Sequence, residues 1–390
     1  MKQLLLLFTL FPALVCFGQT NSNYELVDKK MREIPADFTN STEHIANYIK
    51  AYFKTDEEKI RAVFYWTASN ISYDVKNMFA QNGSISAQEK ITKALKSRKG
   101  VCIDYAEVFK SIANQVGIQT HIIEGYTKQN GKVSNLAHAW CASKIDNKWY
   151  LFDPTWGAGG VQNGVFIKKL NPHWFKVEPS KMALSHLPFD YMWQFMAEPI
   201  TNDEFISAKI QANKPKKNFD FEAEIIRYQL LPESDQLFES TARIESNGRK
   251  SPVITEYLAI TKKNLTGSIQ NQGVERMNAI VAEYNQAIVL FNDFIFYRNN
   301  KFKPSYPDEQ IEKMVSVPKE MLQKCQEGIY STGPVGTENS ASLANTKRLI
   351  AEALKACEEQ HQFLQEYLQK SKIGRKLMLA QLSWYGIPLH

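Results

Sequence analysis

Three residues of this sequence, Cys102, His138 and Asp153, could together carry out nucleophilic chemistry at a thiol. A thiol attacks as the thiolate, and the first turn of a helix favours that form through its unpaired N–H groups and the positive end of its dipole. Cys102 directly follows Gly100 and Val101, where a helix is predicted to begin. A lone cysteine is more often an inert packing residue. The chemical interpretation therefore depends on where His138 and Asp153 lie.

A predicted hairpin brings the histidine and the aspartate to one face of a sheet. A two-residue turn at 146–147 places Asp153 opposite Trp140. Because side chains alternate along a strand, His138 shares its face with Trp140, and Asp153 lies diagonally beside it. A carboxylate in that position can orient an imidazole that serves as general base for the thiol. By the same alternation, Cys141 points to the opposite face.

The elements around these residues are predicted to be helices followed by strands. Apolar residues recur at helical spacing between 41 and 79, which indicates two helices, and a third short helix is expected over 87–96. The helix that begins at Cys102 should end near Gly117. The glycine-rich stretch 157–164 is expected to be a mobile loop. Helices followed by strands are typical of an α+β domain, and the predicted strands are 120–126, 137–145 and 148–152.

The second half of the chain has a different pattern. From residue 218 the apolar residues again recur at helical spacing, without strand signals. We therefore expect an all-α domain over 218–390, after a catalytic domain over 41–205 and a charged linker with lysines between 214 and 217. The longest amphipathic runs of the second half are 273–299, 308–326 and 341–371.

Composition limits the class of protein and of ligand. Of 390 residues, 44% are hydrophobic and 23% are charged, which excludes collagen-like, coiled-coil-only and wholly disordered chains. The net charge of +6 comes from scattered basic residues, so no nucleic-acid-binding face is expected. Five cysteines are too few for a disulfide scaffold, and their spacing suggests no metal site. Cys325 and Cys357, on consecutive predicted helices, either form one disulfide or remain two free thiols.

The first 18 residues have the anatomy of a signal peptide, and 19–40 are expected to form an extended N-terminal arm. A lysine precedes an apolar run that is shorter than the roughly 20 residues needed to span a bilayer. The mature protein is therefore expected to be exported to the periplasm or outside the cell, with no membrane span. Lipid anchoring at Cys16 is the alternative, but Val15 is bulkier than the residue expected just before a lipidated cysteine.

The motifs at these positions resemble those of the transglutaminase-like superfamily of cysteine enzymes, in which Cys, His and Asp occur in this order. The resemblance runs from about residue 40 to 200. The stretch from His186 to Pro188, with Trp193 and Gln194 beyond it, is similar to the subgroup related to kyphoscoliosis peptidase. The matching segments are Ile71-Ser72-Tyr73-Asp74, Gly100-Val101-Cys102-Ile103-Asp104-Tyr105-Ala106, Gly117-Ile118, Ala137-His138-Ala139-Trp140 and Trp149-Tyr150-Leu151-Phe152-Asp153-Pro154-Thr155-Trp156.

The resemblance implies a papain-like core, in which the helix that bears the cysteine packs on an antiparallel sheet. Cys102 would be the nucleophile, His138 the general base and acid, and Asp153 the residue that orients His138. No cofactor or metal is implied, and the partner would be a protein or peptide substrate. The chain has neither the β-sandwich pattern nor the acidic cluster of the animal transglutaminases, so the resemblance does not extend to calcium activation or protein crosslinking.

Several roles and the reaction itself remain open at this point. The Cys102 backbone N–H is expected to be one oxyanion donor, while the second would come from Trp66, Tyr73 or another N–H. These two, with Trp140 and Trp156, are the substrate-cleft candidates, although aromatic residues on half-buried strands are usually core. The first hypothesis is an exported peptidase or amidase that forms a thioester on Cys102. Amine transfer to protein glutamine and a non-catalytic cell-envelope binding scaffold on the same fold are the alternatives.

Overall fold

The computed structural model describes residues 22–79, 85–209 and 218–380. They fall into two units: the first contains the described residues up to 231 together with 239–259, and the second contains 232–238 and 260–380. The predicted signal peptide and the lysines of the charged linker lie outside the described residues. The domain limits predicted from the sequence, 41–205 and 218–390, stay predictions.

The first part of the chain is helical, and its helix starts follow from local sequence. The helices are α1 (Ser22–Arg32), α2 (Thr42–Tyr52), α3 (Asp56–Asn70), α4 (Ala87–Ser97) and α5 (Cys102–Gln115). Thr55 caps α3 and Ser86 caps α4, each in a capping box with the glutamate three residues later. Two short strands, β1 (Ser72–Tyr73) and β2 (Lys99–Gly100), pair in parallel, and β2 directly precedes α5.

The extended conformation predicted for the N-terminal arm is wrong for its described part. The chain there forms α1 and a 3-10 turn at Ala36–Thr39. Met31 is buried in the same apolar cluster as residues of α3. The guanidinium of Arg61, on α3, donates to both carboxylate oxygens of Asp28 at 2.8 and 2.6 Å. Few residues of α1 are apolar, so its sequence gives a weak signal and its packing on α3 decides its place.

The main sheet is antiparallel and contains the predicted hairpin. Its strands are β3 (Thr120–Gln129), β4 (Lys132–Ile145), β5 (Lys148–Phe152) and β8 (His186–Pro188), in the spatial order β5, β4, β3, β8. Ile145 pairs with Lys148, as predicted. Asp146 and Asn147 have φ values of 49° and 61°, the left-handed conformations that a two-residue hairpin turn requires. This register determines which side chains of β4 and β5 share a face.

Helix α5 packs against one face of this sheet, as an α+β core requires. The Phe109 ring of α5 lies 5.4 Å from the Phe152 ring of β5. The Cys141 thiol, which the alternation predicted to point away from His138, contacts the Ala106 carbonyl of α5 at 3.6 Å. Trp140 belongs to a separate cluster with residues of the opposite face. The predicted fold, a helix bearing Cys102 on an antiparallel sheet, is confirmed.

The glycine-rich stretch after β5 is ordered rather than a loop, so that prediction is wrong. It forms α6 (Pro154–Ala158) and a hairpin of β6 (Gly159–Gln162) and β7 (Val165–Lys168). Gly157 packs so closely on the Phe64 ring that a Cβ there would lie 2.5 Å from it. Glycines in this stretch therefore serve close packing and the left-handed turn at Asn163 and Gly164.

Further helices of the first unit hold the segment around β8. They are α7 (Pro179–Met182), α8 (Asn202–Ser207), α9 (Phe221–Gln229) and, from residue 239 onward, α10 (Glu233–Ser246). Asp190, two residues after β8, is buried, and the guanidinium of Arg243 on α10 donates to both of its carboxylate oxygens at 2.8 to 3.0 Å. This ion pair holds the chain in place just after β8.

The second unit is helical, as predicted. It contains α12 (Asp308–Tyr330), α13 (Ser340–Leu368) and α14 (Lys372–Ala380), and most of the long α11 (Pro252–Asn299). Cys325 and Cys357 are free thiols in different apolar clusters, so the disulfide does not form. Within the described ranges, none of the helices has an apolar stretch long enough to cross a membrane.

Replacing Arg243 with Met should destabilise the protein by about 3 kcal/mol at neutral pH, because it leaves the Asp190 carboxylate buried without its cation. Burial already raises the pKa of Asp190 against the pull of Arg243. In the variant the folded state would bind more protons than the unfolded chain, so the loss should shrink as the pH is lowered. Urea unfolding followed by tryptophan fluorescence at pH 7.5 and 5 measures both effects. The double variant Arg243→Met/Asp190→Asn should recover part of the loss, and equal losses in the single and double variants would contradict this explanation.

Candidate active site

Cys102 is the first residue of α5, and the sequence around it determines its backbone environment. Val101 caps the helix in an extended conformation, and the buried Asp104 carboxylate accepts a hydrogen bond from the Val101 N–H at 2.8 Å. A Cβ on Gly100 would lie 2.7 Å from the Cβ of Asp104, so glycine is needed for this close approach. The Cys102 N–H lies in the first helical turn, where no intrahelical acceptor exists. Cys102 is partly exposed.

The His138 ring lies between Cys102 and Asp153. Its Nε2 is 2.8 Å from Oδ2 of Asp153. Cys102 lies close enough to the ring to contribute to the raised pKa of His138. Since Nε2 is directed at the carboxylate, Nδ1 is the nitrogen that faces the thiol. The three residues that the sequence singled out therefore lie near one another, and their roles as nucleophile, base and orienting acid stay predictions.

The Asp153 carboxylate is completely buried, and all of its acceptor positions are used. It caps α6, with Oδ1 accepting hydrogen bonds from the Thr155 N–H at 2.8 Å and the Trp156 N–H at 3.0 Å. Oδ2 accepts from His138 and, at 3.2 Å, from Nε2 of His186. A buried charge is tolerated only where hydrogen bonds replace water. These four donors supply that replacement and fix the plane of the carboxylate.

The charges of the site are strongly coupled. Burial favours neutral His138, but the charge and hydrogen bond of Asp153, together with Cys102, outweigh it and raise the pKa of His138 to about 10. Burial also favours protonated Asp153, yet the two histidines hold the pKa of that carboxyl well below its usual range. An imidazolium and a carboxylate therefore persist at neutral pH.

His186 is the residue of this site that sequence reasoning missed. It begins β8, in the stretch that resembles the kyphoscoliosis peptidase subgroup, and the sequence alone indicates no role for it. Its side chain is completely buried, and burial lowers the pKa of His186 to about 4 against the opposing effect of Asp153. Residues 153 and 186 are far apart in the chain, and no local pattern connects them. The strand order places β8 beside β3 and thereby brings this ring to the carboxylate.

His138, Asp153 and His186 also present nitrogen and oxygen atoms that lie within 4.8 Å of one another. Such a set has the ligand types of a transition-metal site. Both Nε2 atoms, however, lie at hydrogen-bond distance from the same carboxylate oxygen, and the rings have the orientation of N–H donors. We therefore interpret the cluster as a hydrogen-bonded network around a buried charge.

The two candidates for the second oxyanion donor lie in different environments. Trp66 is completely buried on α3, so it lines no cleft surface, and its Nε1 has no hydrogen-bond partner among the described residues. Tyr73 is half-buried on β1. Burial, followed by the charges of Cys102 and Asp153, raises the pKa of Tyr73 to about 12, so its hydroxyl remains a proton donor at neutral pH. The assignment of the second donor to either residue stays a prediction.

The tryptophans predicted to line a substrate cleft differ in exposure. Trp140 is completely buried on the sheet, so its prediction as a cleft residue is wrong. Its ring stacks on the His138 ring, with 6.1 Å between the two ring centroids, and so supports that side chain. Trp156 is partly exposed, and its ring lies 5.6 Å from that of His138. A cleft role for Trp156 stays a prediction.

Replacing Asp153 with Asn should make His138 neutral at pH 7.5. The asparagine oxygen can still accept from the Thr155 and Trp156 N–H groups, but the negative charge that raises the pKa of His138 is gone. Burial, which lowers the pKa of His138, is then opposed only by Cys102, so the pKa should fall from about 10 towards the ordinary 6.5. Nitrogen NMR of labelled histidine measures the protonation state. His121, whose pKa burial lowers to about 4, should be neutral in both proteins and is the internal control. A protonated His138 in the variant would contradict the assignment.

Comparisons with known proteins agree with this arrangement. A model of the transglutaminase-like superfamily matches residues 43–154, which include Cys102, His138 and Asp153. Kyphoscoliosis peptidases of Homo sapiens and Mus musculus are each 29% identical to this chain over 165 residues, which cover 39% of the chain and 24% of the relative. The match therefore spans about a quarter of the length of these curated relatives.

A solved structure described as a TGase has a TM-score of 0.27 and 15% sequence identity, over 61% of this chain and 55% of that chain. A likeness of that degree carries no argument about activity. The family model, the α+β core and the order of cysteine, histidine and aspartate agree independently of it. The match over residues 43–154 shows that this chain contains a domain of the transglutaminase-like superfamily.

Proposed function

We propose that this protein is an exported cysteine hydrolase, a peptidase or amidase, that acts through a thioester on Cys102. The observation that carries the proposal is the proximity of three groups: the buried Asp153 carboxylate, the His138 ring that it binds, and the partly exposed Cys102 at the start of α5. The family match supports a thiol enzyme. The name peptidase, borne by the curated relatives, supports cleavage of peptide bonds, and the predicted signal peptide supports export.

In the first half of the reaction, the Cys102 thiolate attacks the carbonyl carbon of a peptide or side-chain amide. A C–S bond forms, and the carbonyl electron pair moves to the oxygen. When this intermediate collapses, the C–N bond breaks and the departing nitrogen takes the proton from Nδ1 of His138. A free amine leaves, and an acyl thioester remains on Cys102. Asp153 keeps the imidazole oriented and balances its charge before the proton is transferred.

In the second half, water hydrolyses the thioester. Neutral His138 takes a proton from the water as its oxygen attacks the thioester carbonyl. The C–S bond breaks, and a carboxylic acid product leaves. Cys102 is again the thiolate and His138 the imidazolium, so the starting charges are restored. The oxyanion of each intermediate would accept a hydrogen bond from the Cys102 N–H and from one further donor, for which Trp66 and Tyr73 are the candidates.

Iodoacetamide should alkylate Cys102 rapidly and selectively near neutral pH. The other described cysteines are completely buried, and burial raises the pKa of Cys141 well above its ordinary value and those of Cys325 and Cys357 to about 11. In a His138→Ala variant the rate should fall by about tenfold or more, because the imidazolium that favours the thiolate is lost. Peptide mass spectrometry of the labelled protein measures the rate at each cysteine.

The matched control for this experiment is His121→Ala. His121 is also packed against aromatic rings, between Trp149 and Trp193. Its removal should leave the alkylation rate of Cys102 within about twofold of wild type. Slow alkylation of Cys102, at a rate that His138→Ala does not change, would contradict the enzyme proposal and favour a non-catalytic binding scaffold.

Substrates can be sought by treating exported proteins with the wild type and with a Cys102→Ala variant. Hydrolysis predicts new peptide termini or deamidated glutamines that appear only with the wild type, since the variant has no nucleophile. A labelled primary amine in the same reaction tests the alternative. If mass spectrometry finds the amine incorporated into glutamine, or isopeptides, in place of termini or deamidation, amine transfer replaces hydrolysis as the function.

A further inference from the structure

His186 reaches the candidate active site from β8, on the far side of β3 from the strand β4 that carries His138. Its ring centroid lies 4.5 Å from that of Trp156 and 5.1 Å from those of Trp140 and Trp174. The ring is completely buried, and this aromatic enclosure prevents it from turning to solvent. Its two nitrogens must therefore find their partners inside the protein.

The hydrogen bonds of His186 determine which nitrogen carries the proton. Nε2 lies 3.2 Å from Oδ2 of Asp153, and Nδ1 lies 2.8 Å from the hydroxyl of Ser185. A carboxylate oxygen only accepts, so Nε2 carries the proton and donates it. Nδ1 of a neutral ring is then an acceptor, and the Ser185 hydroxyl donates to it. The low pKa of His186 agrees with a neutral ring throughout the physiological range.

This arrangement places two imidazoles on one carboxylate oxygen, with different charges. His138 donates to Oδ2 from 2.8 Å as the protonated ring, and His186 donates to it from 3.2 Å as the neutral ring. With Oδ1 bound to two backbone N–H groups, the carboxylate cannot rotate without losing hydrogen bonds that water cannot replace at this depth. The neutral donor adds a hydrogen bond without adding a second positive charge beside His138.

We propose that His186 is a positioning residue of this active site: by donating from Nε2 to Oδ2 of Asp153, it holds the carboxylate in the plane from which that oxygen orients His138 towards Cys102. The inference rests on the proposed function. Ser185 completes the arrangement, since its hydroxyl can donate to Nδ1 in the Nε2–H tautomer that Asp153 selects. The working unit is therefore Cys102, His138 and Asp153 supported from β8, and not the three residues alone.

Two substitutions separate hydrogen bonding from packing. His186→Phe keeps a flat ring in the aromatic enclosure but removes the N–H donor. His186→Gln keeps an N–H donor but removes the ring. We expect His186→Phe to lower kcat by about tenfold to a hundredfold with KM within about twofold, because misplacement of the base affects the chemical step. His186→Gln should retain most of the activity. His121→Phe, at the other aromatic-packed histidine, should behave as wild type.

A spectroscopic measurement tests the same idea without a substrate. The proton on Nε2 of His138 should give a downfield NMR signal in the wild type, and its position should change in His186→Phe but not in His121→Phe. Ser185→Ala, a milder change, should shift the same signal and lower kcat a few-fold. It keeps the inference testable if His186→Phe does not fold. All samples contain a chelator, so that adventitious metal on the two histidines does not contribute.

The outcomes for the inference and for the proposed function are distinct. If the wild type turns over no peptide or amide, the proposed function fails, and the positioning role is judged by the NMR signal and by alkylation of Cys102. If the wild type is active and His186→Phe retains wild-type kcat with an unchanged His138 signal, the positioning role is overturned. Loss of activity that is equal in His186→Phe and His186→Gln would assign His186 to packing and also overturn the proposal.

Discussion

The buried carboxylate of Asp153 is the group on which the rest of the site depends. An ionised carboxylate without water contact is stable only if hydrogen bonds satisfy it, and here they come from three separate parts of the fold. The first turn of α6 supplies two N–H groups, β4 supplies His138 and β8 supplies His186. The charge of Asp153 keeps His138 protonated, and that imidazolium in turn faces the thiol of Cys102. One buried charge thus determines the orientation and the protonation state of the groups around it.

This requirement explains why elements far from the thiol take part in the site. The strand β8 must lie beside β3 for His186 to reach the carboxylate, and the Asp190–Arg243 ion pair fixes the chain just after that strand. Arg243 belongs to α10, more than a hundred residues beyond Cys102. The Gly157 approach to Phe64 has a similar effect on the other side, because it seats α6 and hence the N–H groups that bind Oδ1. Positioning of the catalytic candidates is therefore distributed over the whole first unit.

Much of this could be predicted from the sequence where the information is local. The start of α5 at Cys102 follows from Gly100, and the hairpin register follows from the two-residue turn at Asp146 and Asn147. That register correctly separated Cys141 from the face of His138. Where a feature depends on contacts between residues that are distant in the chain, the prediction from the sequence is wrong. The N-terminal arm contains a helix that packs on α3 and pairs Asp28 with Arg61. The glycine-rich stretch begins in α6, where Gly157 packs on Phe64, and continues as a hairpin. Trp140 is core because the sheet is covered on both faces.

The sequence by itself determined which residues are candidates for the site and the family to which their motifs belong: a cysteine at a helix start, a histidine on one strand of a hairpin, and an aspartate just after the other strand. These depend on turn geometry, side-chain alternation and helix capping, which act over a few residues. Only the tertiary structure decided how deeply the carboxylate is buried, which nitrogen of His138 faces it, and that a second histidine shares its oxygen. Burial and hydrogen bonding depend on residues that are distant in the chain, and the pKa values that govern reactivity follow from them.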